Sequence, residues 1–173
     1  ALIILVAGLA RAPVPAAYKT LVLAGLLASL AGDVLLMLPE KWFPAGLLAF
    51  LAAHVSYILA FRPGTGGGLS APLLLPFILY GLLMFRMLAP GLGKLKVPVL
   101  VYTAAITAMA WLAACRYVYL GGTKPLLAFM GAVLFVVSDS VLAYDRFAKR
   151  VAMAQVIILV TYFPAQLLIA LSV

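Results

Sequence analysis

A polytopic bundle of transmembrane helices is the fold class that this 173-residue sequence predicts, and three observations predict it. Hydrophobic residues make up 68% of the chain and charged residues 9%, whereas a soluble domain carries about 25% charged residues. Six apolar runs each reach the roughly 20 residues that a helix needs to cross a bilayer. The stretches between them are short and rich in Pro, Gly and basic residues, which leaves no room for an extramembrane domain. A mean hydropathy of +1.26 excludes a soluble globular domain, a disordered chain and a coiled coil. Residues 1–173 are therefore read as one all-α transmembrane domain.

The chain opens on ALIILVAGLA ahead of Arg11. This run is too short to span a membrane and lacks the basic start and cleavage site of a signal peptide, so it is read as the tail of a truncated N-terminal helix. Arg11-Ala-Pro-Val-Pro15 then breaks the chain. The six full spans are expected at 18–38, 42–61, 69–88, 95–118, 125–145 and 150–172. Helix-ending residues separate them: Pro39-Glu40-Lys41, Pro63 to Gly68, Pro90-Gly91-Leu92-Gly93-Lys94, Gly121-Gly122-Thr123-Lys124-Pro125, and the basic turn from Arg146 to Arg150.

The net charge of +8 would suggest nucleic acid in a soluble protein, but the basic residues sit mostly between apolar runs. They read as topology signals and lipid phosphate contacts, and no nucleic-acid partner is expected. Because consecutive spans alternate in direction, one side collects Lys41, Arg86, Lys94, Lys96, Arg146, Lys149 and Arg150. The other collects Arg11, Lys19, Arg62, Arg116 and Lys124. The first, larger set marks the expected cytoplasmic side. A single cysteine, Cys115, provides neither a disulfide nor a redox pair.

Acid/base chemistry must draw on four acids, Asp33, Glu40, Asp139 and Asp145, and on one histidine, His54. A carboxylate inside a bilayer costs roughly 2.5–3.5 kcal/mol, so an unpaired one does not face lipid. With a rise of about 1.5 Å per residue, Asp33 falls roughly 7–8 Å below the basic-side end of its helix, Asp139 roughly 10 Å and Tyr102 roughly 9 Å. Three helices thus bring polar groups into one layer beneath the head groups. Both carboxylates share a local pattern: Gly25 precedes Gly32-Asp33 and Gly131 precedes Ser138-Asp139 at the same spacing, as a parallel duplication would require. Each Asp therefore shares a stripe with a small residue, where helices approach closely.

Two readings of this pair compete. In one, the carboxylates are interhelical hydrogen-bond partners that lock the bundle. In the other they do acid/base work, one in its acid form donating a proton while the ionised one stabilises a cation or activates water. His54 comes out near mid-bilayer, at roughly 18 Å, on one face with Phe50, Tyr57 and Phe61. No second His, Cys or acid sits at ligand spacing beside it, so no metal is expected. Tyr162 and Gln166 lie on the last helix, where Pro164 frees a backbone carbonyl one turn earlier. Asp145 beside Arg146 reads as an interfacial ion pair and Glu40 as a solvated turn. Trp42, Trp111, Tyr117 and Tyr119 read as interface or packing residues.

The segments LVLAGLLASLAGDVLLMLP (21–39), LLAFLAAHVSYILAF (47–61), VYTAAITAMAWLA (101–113), FMGAVLFVVSDSVLAYDRF (129–147) and TYFPAQLLIALS (161–172) resemble, in order, the YhhN-like lysoplasmalogenase family. The resemblance covers nearly the whole chain and rests on Gly-Asp, His-x2-Tyr, Ser-Asp and Tyr-x3-Gln elements taken together. It implies eight transmembrane helices, of which this chain lacks the first and part of the second. One element departs from the family: Lys19 is followed by Thr where the family has a Lys-Pro opening.

The resemblance also implies hydrolysis of the vinyl ether bond of lysoplasmalogens to a fatty aldehyde and a glycerophospho-alcohol, in a multi-pass protein expected in a bacterial inner membrane. Carried over by position, Asp33 and Asp139 are the expected catalytic residues. His54, Tyr57, Tyr162 and Gln166, together with Tyr102 and Ser138 beside the carboxylates, are the expected substrate-binding residues. Lys41, Lys96, Arg146 and Arg150 are the expected phosphate contacts.

Vinyl ether hydrolysis needs an acid and a nearby anion, much as glycoside hydrolysis does, and no cofactor. The reactive bond of a lysophospholipid sits just below the phosphate, the depth expected for Asp33 and Asp139, with the tail running deeper past His54, Tyr57 and Trp111. Two other readings remain: a small proton-coupled lipid or solute transporter, and a non-enzymatic membrane protein in which both Asp residues are structural.

Overall fold

The computed structural model describes residues 2–9, 14–62 and 69–173. The break at Arg11 to Pro13 and the link from Pro63 to Gly68 lie outside the described residues. Among the described residues seven α-helices follow one another: α1 (Leu2–Leu9), α2 (Ala16–Met37), α3 (Phe43–Phe61), α4 (Ala71–Leu88), α5 (Lys96–Leu120), α6 (Thr123–Phe147) and α7 (Ala154–Leu171). No strand occurs among the described residues. Six helices, α2 to α7, are long and apolar enough to cross a membrane, as the hydropathy runs predict.

Helix ends shift by a residue or more from expectation, and two of the shifts have a clear local reason. The fifth span reaches back to Thr123 and takes Pro125 into its first turn, where the missing N–H of proline has no intrahelical partner to lose. The last span starts at Ala154 instead of residue 150. Asp145 accepts the Val151 N–H at 2.7 Å, which holds the preceding residues as a turn, and Met153 takes a left-handed φ of 61° that no helix continues.

The most extensive contacts join α2 to α3 and α6 to α7, while α5 packs among α3, α4 and α6. The glycines that precede each Asp make the tight pairs possible. Gly25 lies against the ring of Tyr57, and a Cβ at Gly131 would meet the Ala165 carbonyl at 2.8 Å. Helix α4 is the outermost span, with Leu88 its only buried residue. Large exposed side chains such as Leu48, Leu75, Leu79 and Val160 face outward, as lipid-facing positions do.

Three connections meet at one end of the bundle. Arg146 donates to Glu40 at 2.8 Å, Phe43 packs edge-on against Phe147 with ring centres 5.9 Å apart, and Gly91 sits directly on the Phe147 carbonyl. This is the basic end. Glu40 is thus more than a solvated turn residue, because it ties the link after α2 to the end of α6. At the opposite end the Tyr18 hydroxyl meets Ser172 Oγ at 2.6 Å, and the Arg116 guanidinium lies 4.4 Å over the Tyr18 ring.

Candidate active site

Asp139 is held by two other helices. Its Oδ2 accepts a hydrogen bond from the Tyr102 hydroxyl of α5, and Nε2 of His54, from α3, lies 3.8 Å from the same oxygen. That separation exceeds a hydrogen bond. His54 is completely buried, and neither ring nitrogen has a hydrogen-bond partner among the described residues. Its ring stands edge-on to Tyr102 and Phe135 at 4.9 Å each.

Counting helical rise alone places His54 and Asp139 at different depths, and the structure corrects this. Side chains tilt toward the N-terminus of their own helix. Helix α3 starts at the basic end, so His54 leans toward it. Helix α6 finishes there, so Asp139 leans away, and the two side chains converge.

Asp33 belongs to a second group. The Tyr162 hydroxyl of α7 donates to Asp33 Oδ2 at 2.9 Å, and the Tyr57 hydroxyl donates to Gln166 Oε1 at 2.9 Å. Ser29 Oγ and Gln166 Nε2 are buried beside them without partners. Both carboxylates are therefore interhelical hydrogen-bond acceptors, with tyrosines as donors.

An aromatic wall stands between the groups. Phe135 centres it, edge-on to Tyr162 at 5.5 Å and to Phe50 at 6.2 Å, and Phe50 meets Tyr162 at 6.0 Å. The two carboxylates face separate cavities. Asp139 lines one that is open at its mouth, with apolar walls from Phe43, Leu47, Leu88, Val99 and Phe147 and polar groups from Tyr80, Tyr102 and Ser140. Asp33 lines another with Ser29, Tyr162 and Gln166.

His54, Tyr57 and Ser138 line neither cavity. Ser138 instead donates to the Ile158 carbonyl of α7 at 3.3 Å. The expected path for a lipid tail past His54, Tyr57 and Trp111 is filled by packed rings, and Trp111 Nε1 donates to the Ser70 carbonyl at 3.2 Å. The space lies between Asp139 and the basic end.

Of the expected phosphate contacts, Arg146 stands at the cavity rim, its guanidinium 4.9 Å over the ring of Phe43. Arg150 pairs with Asp145 at 3.2 Å, which bears out the interfacial ion pair expected of Asp145, although its partner is Arg150 and not Arg146. Lys41 and Lys96 are exposed, and Lys96 lies one turn from the cavity residue Val99. Sequence reasoning missed Ser29, Tyr80 and Ser140. Ser140 carried a signal, as the residue after Asp139 in Ser138-Asp139-Ser140; Tyr80 carried none in an otherwise apolar helix. Among the described residues no three His, Cys, Asp or Glu side chains gather where a metal ion would be held.

A membrane-type helical bundle whose two interior carboxylates each take a tyrosine from another helix defines the class: an integral, multi-pass membrane protein with an acid-lined interior. The chain belongs to the YhhN family, whose model it matches over residues 1–173. It is 38% identical over 165 residues to Lysoplasmalogenase TMEM86B of Homo sapiens, covering 90% of this chain and 64% of the relative. The Sus scrofa protein of the same name is 36% identical over 158 residues, with coverage of 90% and 64%. An Escherichia coli O157:H7 relative named Uncharacterized membrane protein YhhN is 30% identical over 162 residues, covering 94% of this chain and 78% of the relative. The chain thus spans 64% of the length of the mammalian relatives it matches. No solved structure matches it.

Proposed function

We propose that this protein hydrolyses the vinyl ether bond of lysoplasmalogens, releasing a fatty aldehyde and glycerophosphocholine or glycerophosphoethanolamine. The names of the mammalian relatives support the substrate class. One observation carries the site: Asp139 lines an apolar cavity that extends to Phe43 and Phe147 at the basic end, where Arg146 stands. A lysophospholipid fits that order, with its phosphate at Arg146 and its ether bond at the carboxyl.

Asp139 acts as the acid. Its proton passes to the vinyl carbon that does not bear the ether oxygen, and the π electrons of the double bond form the new C–H bond. The resulting oxocarbenium ion is stabilised by the carboxylate left behind. Water adds to the carbon bearing oxygen and loses its proton to Asp139, which is thereby recharged. The hemiacetal then collapses: the glycerol oxygen takes a proton as its C–O bond breaks, the hydroxyl proton is lost, and the aldehyde leaves. One water is consumed and no cofactor is needed. Tyr102 holds the carboxyl in place. Asp33, the second carboxylate, acts from behind the aromatic wall as an anion that favours the cation through the low-dielectric interior.

In this reading the protein sits in a bacterial cell membrane with its basic end on the cytoplasmic side. The transporter alternative is not favoured by the names of the relatives. The test is aldehyde release by purified protein from a 1-alkenyl lysophospholipid, beside its saturated 1-alkyl counterpart. The alkenyl lipid is expected to be consumed and the alkyl lipid to remain, because protonation at carbon requires the double bond. Consumption of neither lipid overturns the proposal.

A further inference from the structure

The cavity at Asp139 holds a second polar patch that the reaction above does not use. Ser140 hydrogen-bonds both the Tyr80 hydroxyl of α4 and the Val136 carbonyl of its own helix. A serine hydroxyl has one proton and a carbonyl only accepts, so Ser140 donates to Val136 and Tyr80 donates to Ser140. Tyr80 Oη is left with lone pairs and no proton to give. Both residues line the cavity, whose remaining walls are largely Leu, Phe, Val and Ala.

An acceptor of this kind selects a donor. Tyr80, Ser140 and Asp139 all line this one cavity, so the acceptor and the acid open onto the same space. A lysophospholipid carries one uncharged donor next to its ether linkage: the free hydroxyl on the middle carbon of glycerol.

We infer that Tyr80, oriented by Ser140, accepts a hydrogen bond from that hydroxyl and selects one-chain ether lipids over two-chain ones. In a two-chain lipid the same position is an ester, which offers Tyr80 only acceptors, and a site built to take a hydroxyl rejects the analogue without one. This inference rests on the lysoplasmalogen reading for its substrate, but its test does not need turnover.

Binding of a non-hydrolysable 1-alkyl lysophospholipid is compared with that of its 2-deoxy and 2-methoxy analogues, by calorimetry in detergent micelles. Wild type is expected to prefer the hydroxyl lipid by about tenfold, the worth of one well-placed hydrogen bond. Tyr80→Phe is expected to erase that preference without weakening the 2-deoxy analogue. Ser140→Ala provides a second readout, because it frees the Tyr80 proton: the 2-methoxy lipid, poorly bound by wild type, is expected to gain affinity. Equal binding of all three lipids by wild type, or parallel loss of all three in both variants, overturns the inference. A clear hydroxyl preference without aldehyde release from the alkenyl lipid would leave this site standing and overturn the hydrolase reading instead.

Discussion

His54 Nε2 lies 3.8 Å from Asp139 Oδ2, across from α3 to α6, and among the described residues neither nitrogen of that fully buried imidazole has a hydrogen-bond partner. Buried polar atoms are paired in nearly all proteins, and an unpaired one costs about 1–3 kcal/mol. The ring is held instead by its edges against Tyr102 and Phe135. A shift of less than an ångström would turn the approach into a hydrogen bond on a carboxylate that already accepts one from Tyr102.

His54→Phe keeps the ring volume and removes the nitrogens. If His54 only packs, stability in a thermal unfolding assay holds or rises by about 1 kcal/mol and turnover is unchanged. If it completes the Asp139 group, stability holds and aldehyde release drops about tenfold or more. The second outcome is expected.

The two carboxylates should contribute unequally. Asp139→Asn removes the proton donor and is expected to lower kcat by about 10²–10⁴-fold. Asp33→Asn, behind the wall of Phe50, Phe135 and Tyr162, is expected to cost about tenfold. Undiminished turnover in Asp139→Asn would end the mechanism; a larger loss for Asp33→Asn would reverse the assignment.

At the cavity rim, Arg146→Ala is expected to raise KM several-fold while leaving kcat unchanged, since the phosphate is bound alike in ground and transition states. Glu40→Ala frees the guanidinium from the pair it makes at 2.8 Å and should lower KM. Steady-state kinetics of the two variants decide whether Arg146 meets the phosphate or only anchors the link after α2.

Gly131→Ala places a methyl group 2.8 Å from the Ala165 carbonyl, a backbone atom that cannot turn aside. The expected loss is about 1–3 kcal/mol. Gly8→Ala, whose added Cβ would meet nothing within 4 Å, should change little. Thermal unfolding of both variants in the same detergent makes the comparison.

Much of this organisation is written along single helices. Six apolar runs became six helices of spanning length, because burial in lipid demands backbone satisfaction within each segment and the hydrophobic run sets its extent. The stripe that joins Gly131 to Asp139 and the face that joins Phe50 to His54 and Tyr57 follow from helical periodicity and lie inward as expected. The basic residues at one end follow from alternation alone. The short list of acids also needs only the sequence, and it narrowed the proposed chemistry to Asp33 and Asp139.

What lies between helices required the tertiary structure. Rise per residue held His54 well below Asp139, whereas the opposed directions of α3 and α6 swing their side chains together. One layer was expected for both carboxylates, and within it they open onto separate cavities, with Phe50 on the wall of one and Tyr162 on the wall of the other, because helix rotation decides which flank of a residue meets which neighbour. Tyr80 joins Ser140 only because α4 docks on the face of α5 and α6. Local periodicity determines which side of a helix a residue occupies; partners, cavities and the wall depend on tilt, rotation and the direction of side chains, which no single segment encodes.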